Sequence, residues 1–481
     1  MAVPPALVML DASELSARIH RREVSCREVM ATYLDHIERL NPAVNAIVSL
    51  RPREALLAEA GEADAALARG EDRGWMHGLP HAVKDLAETR GLRTTRGSPL
   101  FADDVPAADA VFVERLRAAG AILVGKTNTP EFGLGSQTYN AVFGTTGNAY
   151  DPSRTAGGSS GGAAAALAMR LVPVADGSDF AGSLRNPAGW NNVFGFRPSA
   201  GRVPHGPLPE LFMQNMGYDG PMARRVGDLA LLLSVMAGYD DRTPLSLDGD
   251  GRQFAAPLGR DMRGVRIGWL GDLGGIPMET GMLDLCLGGL RRLEAAGCTI
   301  EEARLGIGRD VIWDSFVALR QGFMAGSLRG LYADPAARAR LKPEAVWEIE
   351  GGLRRSAADL FEASARRSAV YRAFRDALRH HDFLALPSAQ VFPFDAALHW
   401  PAEVAGVAMD SYHRWMEVVA GPSLAGLPVV AVPAGFGPAG LPSGIQLVGR
   451  ARQDLAVLQL AHAYEQVAGD VLSRLPPLLA G

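Results

Sequence analysis

The chain is short of cysteine, of lysine, of net charge and of long apolar runs, and each shortage excludes something. Its three cysteines, Cys26, Cys286 and Cys298, form no CxxC pair and no metal-ligand spacing. Neither a disulfide framework nor a zinc site is therefore expected, and a reduced, cytoplasmic setting is. A formal net charge of −5 over 481 residues gives no electrostatic reason to expect nucleic acid or an anionic membrane as partner. No run approaches the ~18 uninterrupted apolar residues of a membrane span. Residues 1–9 are apolar but lack a basic leader, and Asp11 follows closely, so no signal peptide is read there.

Lysine is the most informative shortage. Among 48 basic residues only Lys84, Lys126 and Lys342 are lysine, and the rest are arginine. Arginine stays protonated in proteins and cannot act as a base, whereas a buried lysine can lose its proton. Each of the three lysines is a candidate for chemistry.

What is present reads as an ordinary globular enzyme, with 48% hydrophobic and 21% charged residues. Helical spacing predicts two packed helices over 11–41, interrupted near 21–23, and further helices over 55–69, 111–119, 163–169, 227–237, 354–379 and 455–468. Apolar runs predict strands at 80–85, 121–124, 171–175, 265–270 and 383–386, with a pair at 429–432 and 444–448. Residues 144–162, rich in Gly, Ser, Thr and Pro, should be irregular. No internal repeat or low-complexity linker interrupts this alternation. It predicts an α/β fold with a single large mixed β-sheet flanked by helices on both sides. We read residues 1–481 as one domain. N-terminal helices fill 1–70, the motif-bearing region 71–200 and a variable, pocket-forming region 200–380, while C-terminal strands and a helix over 381–481 complete the core.

Two motif matches fail in context. Gly120-Ala-Ile-Leu-Val-Gly125-Lys126-Thr127 fits the phosphate-loop pattern, but its middle residues read as a strand and Pro130 follows, where the motif needs a loop and a helix. Lys126 is then a structural or turn lysine. Gly157-Gly158-Ser159-Ser160-Gly161 fits a nucleophile elbow, yet no strand precedes it. The downstream candidates His205, His380, His381, His399, His413 and His462 have no distinguishing context, and His380 and His381 suit a helix C-terminus.

What survives is a pair of Ser/Gly clusters flanking one helix–strand unit, Gly157–Gly162 and Asp176–Arg185, together with a strand-borne lysine, Lys84. Residues 151–162, 177–188, Gly78-Leu-Pro-His-Ala-Val-Lys84-Asp85, Gly125-Lys-Thr-Asn-Thr-Pro-Glu-Phe132, Gly426-Leu-Pro and Pro442-Ser-Gly-Ile-Gln-Leu-Val-Gly449 resemble the motifs of the amidase signature family. The resemblance covers most of the chain.

It implies a Ser–Ser–Lys triad of Ser183 as nucleophile, Ser159 as relay and Lys84 as base, with a cis peptide before Ser159 and no metal or organic cofactor. Ser160 competes for the relay and, by its place in the motif, is a supporting partner with Gly158, Asp179 and Arg185. A serine hydroxyl needs a base to take its proton. Lysine is such a base only when neutral, which burial on an apolar strand promotes. The hydroxyl of Ser159, both donor and acceptor, can pass the proton. Backbone N–H groups of Phe180, Ala181, Gly182 and Ser183 can face the oxyanion.

Departures from the family pattern narrow the expectation. Ala181-Gly182 stands where Gly-Gly is usual, Phe180 is bulky, and Asn186 and Gly189-Trp-Asn-Asn192 are unlike the glutamine-dependent tRNA amidotransferase branch. These segments are similar to nylon-oligomer cyclic-dimer hydrolases and urethane-cleaving members, although Trp190 also suits plain core packing. The expected substrate is a small amide, hydrophobic or aryl. One alternative is a carbamate (urethane) cleaved by the same triad. The other is a subunit of an amidotransferase that works on charged tRNA with a stable partner. Phe180, Met213 and the loop 204–218 are the candidate pocket residues, and a homodimer is compatible with the chain.

Overall fold

The structure, a computed structural model, describes residues 4–213 and 216–480. Its main element is an eight-stranded sheet in the order Thr299–Glu302, Arg266–Trp269, Phe383–Pro387, Pro442–Val448, Val429–Phe436, Phe194–Arg197, Tyr218–Ala223 and Val174–Asp179. The first two neighbouring pairs are parallel and the remaining five antiparallel, so the sheet is mixed. Both of its faces are buried. Successive side chains on a strand point to opposite faces, and Phe383 and Ala385 join one apolar cluster while Leu384 and Leu386 join another.

Helices cover the two faces because their apolar positions recur at helical spacing. On one side Asp454–Val467 presents Val457, Leu458, Ala461 and Tyr464 beside Leu229 and Leu233 of Val226–Met236. On the other, Ala357–His380 presents Val370, Phe374 and Leu378, and starts from a capping box of Ser356 and Asp359. The N-terminal helices Ala12–His20 and Cys26–Val44 break where expected; Leu15 and Ile19 of the first meet Val29, Tyr33 and Ile37 of the second in a third cluster.

A separate three-stranded sheet carries the first lysines. Ile47–Val48 runs antiparallel to Ile122–Thr127, which runs parallel to Pro80–Lys84. Lys84 therefore ends a strand of this small sheet, packed beside the edge strand Val174–Asp179 of the large one.

The strand expected at 171–175 lies further along the chain. The backbone turns through Leu171–Pro173, and the strand occupies Val174–Asp179. Asp176, Gly177, Ser178 and Asp179 have low intrinsic strand preference, but each is paired across to the strand Tyr218–Ala223, and tertiary pairing prevails.

Candidate active site

Lys84 is fully buried, and its ammonium nitrogen lies among oxygens. Nζ is 2.8 Å from Ser159 Oγ, 2.8 Å from Ser160 Oγ, 3.0 Å from Ser178 Oγ and 3.2 Å from the Ser178 carbonyl. Burial pushes the lysine down to about 7, against the pull of the carboxylates of Asp219, Asp176 and Asp179, which favour the charged form. Asp176 fixes the strand: one oxygen accepts the Lys84 backbone N–H at 3.1 Å, and the other is 2.9 Å from His81 Nε2.

Ser159 and Ser160 stand at the start of the helix Gly161–Ala168, and the Gly158–Ser159 peptide is cis. The glycines there are required by close approach. A Cβ on Gly162 would lie 2.3 Å from the Asn128 nitrogen and 2.7 Å from the Ala46 carbonyl oxygen, both immovable backbone atoms. Lys84 reaches Ser159 and Ser160 at equal distance, so the lysine contact does not separate relay from supporting serine. Their other contacts differ. Ser160 Oγ accepts the Ser178 N–H at 3.3 Å and donates back to the Ser178 carbonyl, while Ser159 keeps the lysine as its hydrogen-bond partner.

Ser183 is buried in the loop after Val174–Asp179, and its carbonyl accepts the Ser160 N–H at 3.3 Å, which holds the two serine segments side by side. Among the described residues no hydrogen bond joins Ser183 Oγ to Ser159 Oγ. The loop is built around the Asp179 carboxylate. Its two oxygens accept the N–H groups of Gly182 (2.8 Å) and Leu184 (3.0 Å), and Arg185 grips both of them at 2.9 Å. Arg197 approaches Oδ1 at 3.3 Å and binds the Asp179 carbonyl. Burial alone would raise the Asp179 carboxyl, but Arg185 and Arg197 outweigh it and hold it well below the usual carboxylate range.

This geometry alters one expectation. The Gly182 N–H, expected among the oxyanion donors, points instead to Asp179. The N–H groups of Phe180, Ala181 and Ser183 meet no protein acceptor among the described residues.

The other two lysines are elsewhere. Lys126 is buried, donates to the Ala87 carbonyl at 2.7 Å and to Thr89 Oγ1 at 2.8 Å, and is pushed down to about 8 by burial. It sits in the strand Ile122–Thr127, so the phosphate-loop match has no loop. Lys342 donates to the Leu134 carbonyl at 2.6 Å. Trp190 is core: it stacks on Trp415 with centroids 5.7 Å apart and planes at 9°.

A cleft of about 700 Å³ opens beside Phe180, lined by Met213, Met216, Leu319, Phe323, Leu360 and Phe361 among others. Phe180 lies 5.8 Å from the Phe323 ring and 5.1 Å from the Arg320 guanidinium, which Glu348 and Tyr412 hold in place. Met213, expected in the pocket, is at its exposed rim, and residues 214 and 215 of the expected loop lie outside the described residues. Sequence reasoning does not single out Ser178, Asp176 or Asp219. The signal that finds the first two is strand alternation, which puts 176 and 178 on one face. Among the described residues no cluster of three or more His, Cys, Asp or Glu side chains could hold a metal ion, and no helix is long and apolar enough to cross a membrane.

The Amidase family profile matches residues 28–458. An acylamidase of Rhodococcus erythropolis is 33% identical over 461 residues, 95% of this chain and 95% of that protein. A glutamyl-tRNA(Gln) amidotransferase subunit from Thermosynechococcus vestitus is 34% identical over 475 residues, covering 94% and 97%. Among solved structures, a bacterial aryl acylamidase of the amidase signature family superposes with a TM-score of 0.90 at 29% identity, over 97% of this chain and 99% of that one.

Proposed function

The chain belongs to the amidase family, and from that premise we propose that it is a serine amidase hydrolysing small apolar, aryl-type amides with Ser183 as nucleophile, Ser159 as relay and Lys84 as base. The observation that carries this reading is the buried Lys84 amine in contact with Ser159 at 2.8 Å, with the neighbouring Ser160 N–H tied to the Ser183 carbonyl at 3.3 Å. A neutral amine has a lone pair for a proton, and at about 7 a large share of Lys84 is neutral near physiological pH. Ser183 Oγ attacks the amide carbon as its proton passes to Ser159 and the Ser159 proton to Lys84 Nζ. The N–H groups of Ala181 and Ser183, with Phe180, face the oxyanion; one such donor is typically worth roughly 10²–10³ in rate. Collapse expels the amine, which recovers the proton by the same route, and water then releases the acid from the acyl-enzyme.

The relatives include both acylamidases and amidotransferase subunits at similar identity, so identity does not choose between them. The cleft lining favours the acylamidases. An apolar wall of Phe180, Phe323, Leu319 and Leu360 suits an aryl or aliphatic group. Amine release from a matched aryl amide and aryl carbamate, by wild type and Ser183→Ala, tests the reading. Release from the amide that disappears in Ser183→Ala is expected. Preference for the carbamate would make the protein a urethanase with the same triad, and full activity in Ser183→Ala would remove the nucleophile assignment.

A further inference from the structure

His205 is a partly exposed side chain in the loop before the strand Tyr218–Ala223, and its Nδ1 lies 2.6 Å from Asp219 Oδ2. Asp219 is the cross-strand partner of Ser178. Directly opposed residues of an antiparallel pair share a face, with Cβ atoms roughly 4.5–5.5 Å apart. The Ser178 hydroxyl is 3.0 Å from Lys84 Nζ. The Asp219 carboxylate thus stands between a solvent-accessible imidazole and the buried amine. We propose that His205 acts through Asp219 as the solvent-facing electrostatic control of Lys84, a positioning pair for the base that rests on the reading of Lys84 above.

The carboxylates around Lys84 are unequally matched by other charges. Lys84 faces carboxylates from two strands, Asp176 and Asp179 from Val174–Asp179 and Asp219 from Tyr218–Ala223. The first two are already engaged, Asp179 by Arg185 and Arg197, and Asp176 by His81 and the Lys84 N–H. Of the three, Asp219 exerts the largest pull on Lys84, and its partner His205 is an imidazole with access to water. The remaining polar groups around His205 in its small cavity, Thr243, Ser246 and Tyr218, carry no charge near neutral pH. Burial would lower His205, but the Asp219 carboxylate outweighs it and raises it. With His205 protonated, the pair is neutral overall and Lys84 is released to its neutral, basic form. With His205 neutral, the bare carboxylate favours the lysine ammonium.

Only three lysines occur in the chain, so a protein labelled with ¹³C at the lysine ε-carbon gives three resonances, and Lys84→Met identifies the one to follow. Its titration is compared in wild type, His205→Gln and Asp219→Asn, beside the pH dependence of kcat/KM on the aryl amide. The midpoint is expected to rise in His205→Gln and to fall in Asp219→Asn, each by roughly half to one pH unit for a single charge at this range, and the acid limb of kcat/KM should move with it. His205 is partly exposed, so His205→Gln keeps the test available if Asp219→Asn fails to fold. Coincident midpoints in wild type and His205→Gln overturn the coupling and leave Lys84 as base. Midpoints that shift while the acid limb stays fixed overturn Lys84 as base, and the role of the pair with it.

Discussion

At the scale of single residues, the three lysines divide by what surrounds them. Lys126 donates to the Ala87 carbonyl and one hydroxyl, Thr89 Oγ1, and Lys342 to the Leu134 carbonyl. Lys84 meets one carbonyl, that of Ser178, and three hydroxyls, which can also donate and so accommodate a neutral amine. The scarcity of lysine narrows the search to three positions, and the family pattern selects one. Nothing in the sequence marks Asp219, because its role arises from the register in which its strand pairs with Ser178 of the strand Val174–Asp179. The burial of Lys84 has a thermodynamic consequence. An amine at about 7 when folded, against an ordinary value of 10.5, binds fewer protons in the folded state throughout that interval. Wild-type stability should therefore fall as pH drops from about 10.5 to about 7, with a slope approaching ~1.4 kcal/mol per unit, and lose nothing further to this group below it. Lys84→Met lacks that slope. Melts of both proteins between pH 7 and 9.5 should show the variant gaining relative stability toward pH 7 while its activity is lost; parallel curves would mean that Lys84 titrates at its ordinary value.

At the scale of elements, those with one dominant apolar face are legible. The helices Ala357–His380 and Asp454–Val467 and the strands Val429–Phe436 and Pro442–Val448 lie within a few residues of their expected positions. The strand Val174–Asp179 is legible only in part, because its second half is made of Asp, Gly and Ser. Those residues are placed by the contacts with Lys84 on one side and the pairing with Tyr218–Ala223 on the other. The glycine cluster 157–162 reads from sequence as a loop, and its end proves to be a helix start pressed onto the backbone of Asn128 and Ala46. That contact is a tight constraint. Gly162→Ala improves helix propensity by about 1 kcal/mol, yet it places a methyl carbon 2.3 Å from a backbone nitrogen that cannot yield. The clash should win, displacing Ser159 and Ser160 from Lys84. We expect destabilisation of ~1–3 kcal/mol in urea unfolding and a loss of kcat of at least about tenfold. A variant as stable and active as wild type would show that the helix start can move away.

At the scale of the whole molecule, the cleft is assembled from parts that no local reading connects. Phe180 comes from the end of the large sheet, Met213 from the loop after residue 204, Phe323 from the helix Arg309–Ala333 and Phe361 from the helix Ala357–His380. Phe180 and Met213, named from the sequence, line this cleft, whereas the helix Arg309–Ala333 is not foreseen. Its buried positions, Ile312, Phe316, Ala318, Arg320 and Met324 among them, do not keep to one face. The cleft also has a gradient. At one end Phe180, three residues before Ser183 in the chain, is fixed between Phe323 and Arg320. At its mouth Phe361 is 79% exposed and Met213 76%. A side chain so exposed contributes little to folding, so it can be changed without disturbing the loop that carries Ser183, and its contribution to binding can be read separately. Phe361→Ser should leave the unfolding free energy within about 0.5 kcal/mol of wild type. If the mouth holds the far end of an extended apolar substrate in ground state and transition state alike, the variant loses uniform binding: KM rises by roughly three- to tenfold, about 1 kcal/mol, at constant kcat. A two-carbon amide, too short to reach from Ser183 to the rim, should show no change in either constant. Equal effects on the short and the long substrate would place Phe361 outside the binding path and restrict the apolar site to the inner wall at Phe180 and Phe323.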